Sequence, residues 1–328
     1  MKFRTILLYV IIIAAVVGGG LYAASRYFFA GLTQDTAFAD AVDNAVDRLG
    51  VNENADFTDA NIVNIAIFGI DSQDSEKGRS DATMILSIDY EHNKIKLSSI
   101  ARDTLVYIPD KDVTEKFTHA YAYGGAELAV KTLNTNFNTN ITNYVAVNFS
   151  EMASIVDLVG GVQVNLTEAE REQLPNHETL STGDGVSLDG QQAVAYSRIR
   201  YIDSDDMRTS RQREVLTCLF EKMRSMSATQ YPQLIRTCLD MCTTSMSYTD
   251  ILSHSNILLK QDLTLEQFAL PGDTCDAWGG ILPSSGAWCY VYDLRDASDQ
   301  LLTFIYEDIY KNSGYTLPDA TVDKSILS

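Results

Sequence analysis

IVNIAIFGI, residues 62–70, is a nearly unbroken apolar run of strand-forming residues that stops one position before Asp71. A run this short, rich in Ile and Val, belongs to a central strand covered on both faces. Two more strands follow, ATMILSIDY (82–90) and KIKLSSI (94–100), joined by the polar turn Glu91-His92-Asn93. Further out, GGAELAVKTLNTNF (124–137) has helical spacing and NYVAVNF (143–149) reads as a strand. SEMASIVDLVGG (150–161) is a helix stopped by Gly160-Gly161, and VQVNL (162–166) is a strand. A short helix from Asp189, a strand at SRIRY (197–201) and a helix from about Met207 to Met226 come next. Two or three further helical stretches precede a loop around Cys275, and a last helix spans roughly Ala297 to Tyr310. The alternation predicts one α/β domain, layered α-β-α around a central mixed sheet, over about residues 61–315, with 316–328 as a tail.

Upstream, Phe38, Val42, Ala45, Val46 and Leu49 stand at helical spacing before Gly50, a short stalk or a first helix within residues 25–60. Before them lies a segment that decides topology. Residues 1–5 carry Lys2 and Arg4, and residues 6–24 hold no charge. At 1.5 Å per residue that stretch makes a helix of about 28 Å, enough for a bilayer core. The basic residues on its N-terminal flank, against Asp35, Asp40, Asp43 and Asp47 beyond it, place residues 1–5 in the cytoplasm and the domain outside the cell. The rival, a cleaved signal peptide, has a shorter apolar region and small residues at the cut, where Tyr22 stands here. A retained single-pass signal-anchor is the expectation.

The chain has 328 residues, 45% hydrophobic and 21% charged, with a formal net charge of -19. That balance is globular and argues against sequence-independent nucleic-acid binding, which needs many cations to neutralise phosphates. Cys275 and Cys289 lie in a Gly/Ser/Pro-containing loop and fit a disulfide. Cys218, Cys238 and Cys242 fit either a second bridge with a free thiol or buried thiols. The spacing of Cys and His excludes a zinc site.

In this acidic chain, YSRIRYIDSDDMRTSRQR (196–213) gathers five of the 14 arginines. Guanidinium is the side chain shaped for bidentate capture of phosphate or carboxylate. Arg198 and Arg200 are two apart on the expected strand and so share a side. Arg208, Arg211 and Gln212 share one face of the next helix, with Asp203 and Asp205 in the loop between. Two other clusters have the same character. GIDSQDSEKGRSD (69–81) places Asp71 just past a strand, where α/β sheets present ligand-binding groups, and Arg79 and Asp81 at the start of the next. SSIARD (98–103) puts Arg102 and Asp103 past a third strand. Two carboxylates among many guanidiniums suit a diphosphate held with an oxygen-liganded divalent cation, most simply magnesium. Arg171, Arg213, Arg224 and Arg236 read as solvated surface charges, and His119 as a packing residue or a substrate contact.

The clusters together resemble the LytR-CpsA-Psr family of cell-wall polymer ligases. The resemblance rests on FGIDS, RSDATMILSID, LSSIARDTLVYIP, AYAYGGAELAVKTLN, YVAVNFSEMASIVDLVGGVQV, LDGQQAVAYSRIRY and DSDDMRTSRQREVL, dense over about 62–225. It implies a membrane-anchored transferase facing outward. Such an enzyme takes a glycopolymer (teichoic acid, capsular polysaccharide or another wall glycan) from a polyprenyl-diphosphate carrier. It joins the polymer to a peptidoglycan hydroxyl, with release of polyprenyl phosphate. On matching positions, Asp71 and Asp81 would hold magnesium, or manganese in its place. Arg79, Arg102, Arg198, Arg200, Arg208 and Gln212 would grip the diphosphate, with Arg211 and Asp205 in support. Asp103 would orient Arg102 or act as general base. A lipid tunnel is implied, with Ala129, Leu133, Met152, Ile155 and Val156 as linings or, by their helical spacing, plain core. Gln73, Ala101 and Thr118-His119 depart from the family pattern and bear on substrate preference. Two rival readings stay open: a polyprenyl-diphosphate hydrolase, and a non-enzymatic envelope-binding or regulatory protein.

Overall fold

Helices α1 (Thr36–Val42) and α2 (Ala45–Leu49) come first in the computed structural model, which describes residues 35–52, 61–72, 78–200, 202–203, 205–272, 275–307 and 324–327. Asp35 caps α1 by accepting from the Phe38 amide, and Gly50 ends α2 at φ +64°. A Cβ there would stand 2.7 Å from Thr135 Oγ1, so both the turn and the space require glycine. Phe38, Ala41 and Leu49 are at most 1% exposed within the main core, so α1 and α2 belong to the domain and are not a stalk.

Strands β1 (Ile62–Ile70), β2 (Ser80–Asp89) and β3 (Lys94–Ile100) form the antiparallel centre that the apolar runs predict. A hairpin of β4 (Leu105–Ile108) and β5 (Val113–Lys116) leads into helix α3 (Thr118–Phe137), which breaks at Gly124-Gly125. Strand β6 (Asn143–Asn148) returns to pair parallel with β1. Helix α4 (Phe149–Leu158) follows, and then β7 (Val162–Leu166), the short α5 (Glu168–Arg171) and β8 (Gly183–Leu188). VQVNL is therefore one arm of the β7–β8 hairpin and lies outside the central sheet. Helices α6 (Gly190–Ser197), α7 (Asp205–Arg224) and α8 (Tyr231–Leu239) come next, then strand β9 (Thr243–Thr244) and helix α9 (Tyr248–Ser255). Strand β10 (Thr264–Leu270), hairpin β11 (Trp278–Leu282) with β12 (Ala287–Val291), and helix α10 (Leu294–Tyr306) complete the described elements.

The six-stranded sheet has the order β10-β3-β2-β1-β6-β9 and is mixed, since β3–β10 and β1–β6 pair parallel. Ala66, Phe68 and Ile70 of β1 face the main core under α3 and α10. Ile65, with Ile88 and Ile95, faces a second layer of α8 and α9 through Tyr231, Ile235, Leu239 and Tyr248. A third cluster joins α6 and α7 to the β7–β8 hairpin through Tyr196, Val215, Leu219, Val164 and Leu188. The α-β-α layering is as expected from the sequence.

Two expectations fail. Residues 197–200 of SRIRY are not a strand: the capping box of Asp189 with Gln192 launches α6, which runs through Ser197 and ends with Arg198 as its C-cap, and Tyr201 lies outside the described residues. The Cys275–Cys289 bridge is not formed. Cys275 packs beside the main core near Gln300, whereas Cys289 is buried in a separate cluster with Leu105, Leu282 and Val291. All five cysteines are free thiols. Residues 6–24, the start of the expected stalk, the linker at 53–60, Gln73 and most of the tail lie outside the described residues. Among the described residues no helix is long and apolar enough to cross a membrane.

Candidate active site

Parallel β1 and β6 end side by side, Ile70 opposite Asn148, and the site lies at that edge. Ile67 and Gly69 of β1, Met84 of β2 and Val147 of β6 floor an open cleft with an enclosed volume of about 80 Å³. Phe149 and Met152 of α4, Val194 of α6 and Val215 and Leu216 of α7 complete its apolar interior. Helix α4 starts at the cleft, its Asn148 accepting from the Glu151 amide at 2.9 Å in a capping box.

The carboxylates reach this edge by two devices. Asp71 sits two positions past Gly69 and so continues the cleft-facing side of β1. Asp81 depends on a bulge. Gly69 pairs with Ala82 but Ile70 with Ser80, so Asp81 is an extra residue in β2. That extra residue lets both Asp81 and Ala82 line the cleft, which strict alternation would forbid. Between the carboxylates, the Asp71 amide donates to Arg79 O at 2.9 Å and closes the loop at its neck.

Four arginines converge on these two acids. Arg102 Nη1 donates to Asp81 Oδ1 at 2.7 Å, and Arg200 Nη2 stands 3.9 Å from Asp81 Oδ2. Arg79 and Arg198 approach Asp71 at 3.7 and 4.0 Å. The Arg198 guanidinium also lies 4.0 Å over the Phe149 ring, a cation–π contact. Although not on a strand, Arg198 and Arg200 both line the cleft, together with Arg208 and Gln212 of α7. Arg208 is only 4% exposed, so its charge is presented inside the cleft and not to bulk water.

Of the other expected residues, Arg211 is committed elsewhere, Asp103 stands where it can orient Arg102, and the side chain of Asp205 lies outside the described residues. Arg211 is fully buried away from the cleft, where Glu170 accepts from its Nε at 2.7 Å and Asp203 accepts from both terminal nitrogens. Its neighbour Tyr196 donates to Glu214 at 2.6 Å, and burial pushes that phenol's pKa far up. Asp103 is outside the cleft lining, held by Lys116 at 2.8 Å and Arg102 Nε at 3.4 Å. Asp205 opens α7, and its side chain is not among those described. Of the suggested tunnel linings only Met152 lines the cleft. Ala129 and Leu133 belong to the main core, and Ile155 and Val156 to the α6–α7 cluster. His119 bonds Glu115 at 2.7 Å beside Tyr123, away from the cleft. Arg213, expected in solvent, instead donates to Ser99 Oγ at 2.6 Å and Gln267 Oε1 at 3.2 Å. Only knowledge of the β3–β10 pairing would have revealed that.

Among the described residues no group of three or more His, Cys, Asp and Glu gathers as a metal cage. Asp71 and Asp81 are the carboxylates at this edge, and such a pair could hold magnesium, an ion commonly bound by one or two carboxylates plus substrate phosphates. Among the described residues, the cations that approach Asp71 stand too far off to hydrogen-bond it.

A mixed α/β sheet with an arginine-rich, carboxylate-bearing mouth over an apolar cleft defines the class. The LytR_cpsA_psr family model matches residues 28–301, and the chain belongs to that family. The polyisoprenyl-teichoic acid–peptidoglycan teichoic acid transferase TagU of Enterococcus faecalis is 32% identical over 241 residues, 70% of this chain and 74% of that protein. TagU of Bacillus cereus (strain ATCC 14579) is 30% identical over 287 residues, 87% of this chain and 90% of that one. The solved structure of TagT bound to LIIa-WTA superimposes with a TM-score of 0.60 at 26% identity, covering 74% of this chain and 91% of TagT.

Proposed function

We propose that this chain is a membrane-anchored transferase that works outside the cell. It moves a glycopolymer from a polyprenyl-diphosphate carrier to a peptidoglycan hydroxyl and releases polyprenyl phosphate. The observation that carries the reading is one cleft with two chemistries. Its interior of Ile67, Met84, Met152, Val194 and Leu216 suits a prenyl chain, and its mouth of Asp81, Arg198, Arg200 and Arg208 suits a diphosphate. The TagU relatives are teichoic acid transferases of this kind.

In this reading the acceptor hydroxyl attacks the phosphorus that bears the polymer, the bond to the bridging oxygen breaks, and the hydroxyl proton leaves with the polyprenyl phosphate. Arg102, Arg198, Arg200 and Arg208 grip the non-bridging oxygens and take up the charge that develops on them and on the departing polyprenyl phosphate. Magnesium held by Asp71 and Asp81 would neutralise further charge on the diphosphate. Asp103, fixed by Lys116, orients Arg102. Residues 6–24 supply the anchor.

The test is incubation of the full chain, in detergent with magnesium, with a lipid-linked diphosphate glycan and a peptidoglycan oligosaccharide. Polymer joined to the oligosaccharide supports the proposal. Release of polyprenyl phosphate without joining makes the chain a hydrolase, and binding with neither product makes it an envelope-binding protein. A tag at Ser328 reached only by cytoplasmic probes overturns the topology.

A further inference from the structure

Helix α7 has a second working face. Arg208 and Gln212 look into the cleft, whereas Thr209 and Arg213, one position on from each, line a separate groove on the other side. That groove lies over the ends of β3 and β10, with Ala101 and Gln267 in its wall and Tyr290 of β12 closing it. The two sites share a partition. Ala101 lines the groove, the next residue Arg102 bonds Asp81 in the cleft, and Asp103 O accepts from the Tyr290 amide at 2.9 Å. The groove therefore adjoins, through Ala101, the arginine that bonds Asp81.

The lining has a definite chemistry. In a chain of net charge -19, none of the described residues that line this groove is acidic, and Arg213 supplies a guanidinium held in place by Ser99 and Gln267. Trp288 stands two positions before Tyr290 on the same face of β12, with ring centroids 4.6 Å apart. Its ring packs on Gly279, and the residue, 38% exposed, adjoins the groove through its contact with Tyr290. Aromatic faces beside amide and guanidinium donors suit a chain of pyranose rings that carries carboxylates.

We propose that this groove is the acceptor subsite, and that it holds a peptidoglycan glycan strand with a stem carboxylate on Arg213 and a sugar face on Tyr290 and Trp288. The assignment rests on the transferase reading only for the word acceptor; binding of the glycan stands apart from it.

The test uses the full chain in detergent with Trp278→Phe, so that Trp288 is the remaining tryptophan, and titrates a soluble uncrosslinked peptidoglycan oligosaccharide. Saturable quenching of Trp288 is expected, weakened about fivefold or more by Arg213→Gln and by Tyr290→Leu. In the transfer reaction those variants and Trp288→Ala raise the acceptor KM by a similar factor and keep the lipid-donor KM within about twofold. Melting temperatures are measured alongside, and the acceptor-against-donor split separates a lost contact from a misfolded domain. Absence of oligosaccharide binding by the otherwise native chain overturns the groove, whatever the transfer assay gives. Equal rises in both KM values overturn it too. Binding without transfer leaves the groove standing and overturns the transferase reading.

Discussion

At the start of β3, Lys96 is fully buried and donates to Glu307 and to Ile305 O, both at 2.8 Å, while Lys94 donates to Glu307 at 2.6 Å. At the opposite end of the sheet Asp71 meets Arg79 and Arg198 at 3.7 and 4.0 Å, and Arg200 stays 3.9 Å from Asp81. One end is closed by short contacts. The other has one tight pair, Arg102 with Asp81 at 2.7 Å, ringed by three arginines at longer range. Within one helix, Arg211 is turned away from the cleft to Glu170 and Asp203, and Arg208, three residues earlier, lines it. Charges that are all closely paired hold the fold, and cations gathered at longer range around one pair mark an edge set out for a ligand.

The largest effect should come from that edge. Asp81→Ala lowers kcat for transfer about 10³-fold with little change in melting temperature; retention within tenfold would remove the cleft from the chemistry. Next, Lys96→Ala leaves Glu307 without its buried partner and costs about 3 kcal/mol in denaturant unfolding, with donor affinity unchanged. A smaller and paired effect separates the two arginines of α7. Arg208→Ala weakens binding of a polyprenyl diphosphate by about 2 kcal/mol, whereas Arg211→Ala spends its effect on stability, read by calorimetry beside binding. If both variants lose binding alike, the distinction between them fails.

The smallest effect is one of pH. Hydrogen bonds from Lys94 and Lys96 hold the Glu307 carboxyl down at about 2. A carboxylate lowered in the folded state adds stability that is fully present above its ordinary pKa near 4.5 and is lost as pH falls toward 2. Glu307 is partly exposed, so the contribution is discounted to about 1 kcal/mol. Glu307→Gln should therefore flatten the acid limb of the stability curve below about pH 4.5 and leave the donor KM untouched.

Much of this was legible in the residues. The apolar run at 62–70 marks β1 because that strand is covered on both faces, and the helix stops at Gly50 and Gly160-Gly161 are local chemistry that structure preserves. Asp71, Asp81, Arg102, Arg198, Arg200, Arg208 and Gln212 were singled out by charge and spacing, and the fold brings them to one edge. What escaped depends on partners distant in sequence. Strand β10 carries Glu266 and Gln267 on an edge, and its match to β3 is about 170 residues away. Arg211 has the spacing of a site residue, yet Glu170, 41 positions upstream, claims it. SRIRY has strand composition, but the Asp189 cap commits Ser197 and Arg198 to a helix end.

The neck formed by the Asp71 amide and Arg79 O has an evolutionary consequence. Because that bond is made by main-chain atoms and joins the end of β1 to the residue just before β2, the spacing of the two acids does not depend on the side chain at position 79. Selection can therefore exchange that cation while the frame that carries Asp71 and Asp81 stays where it is.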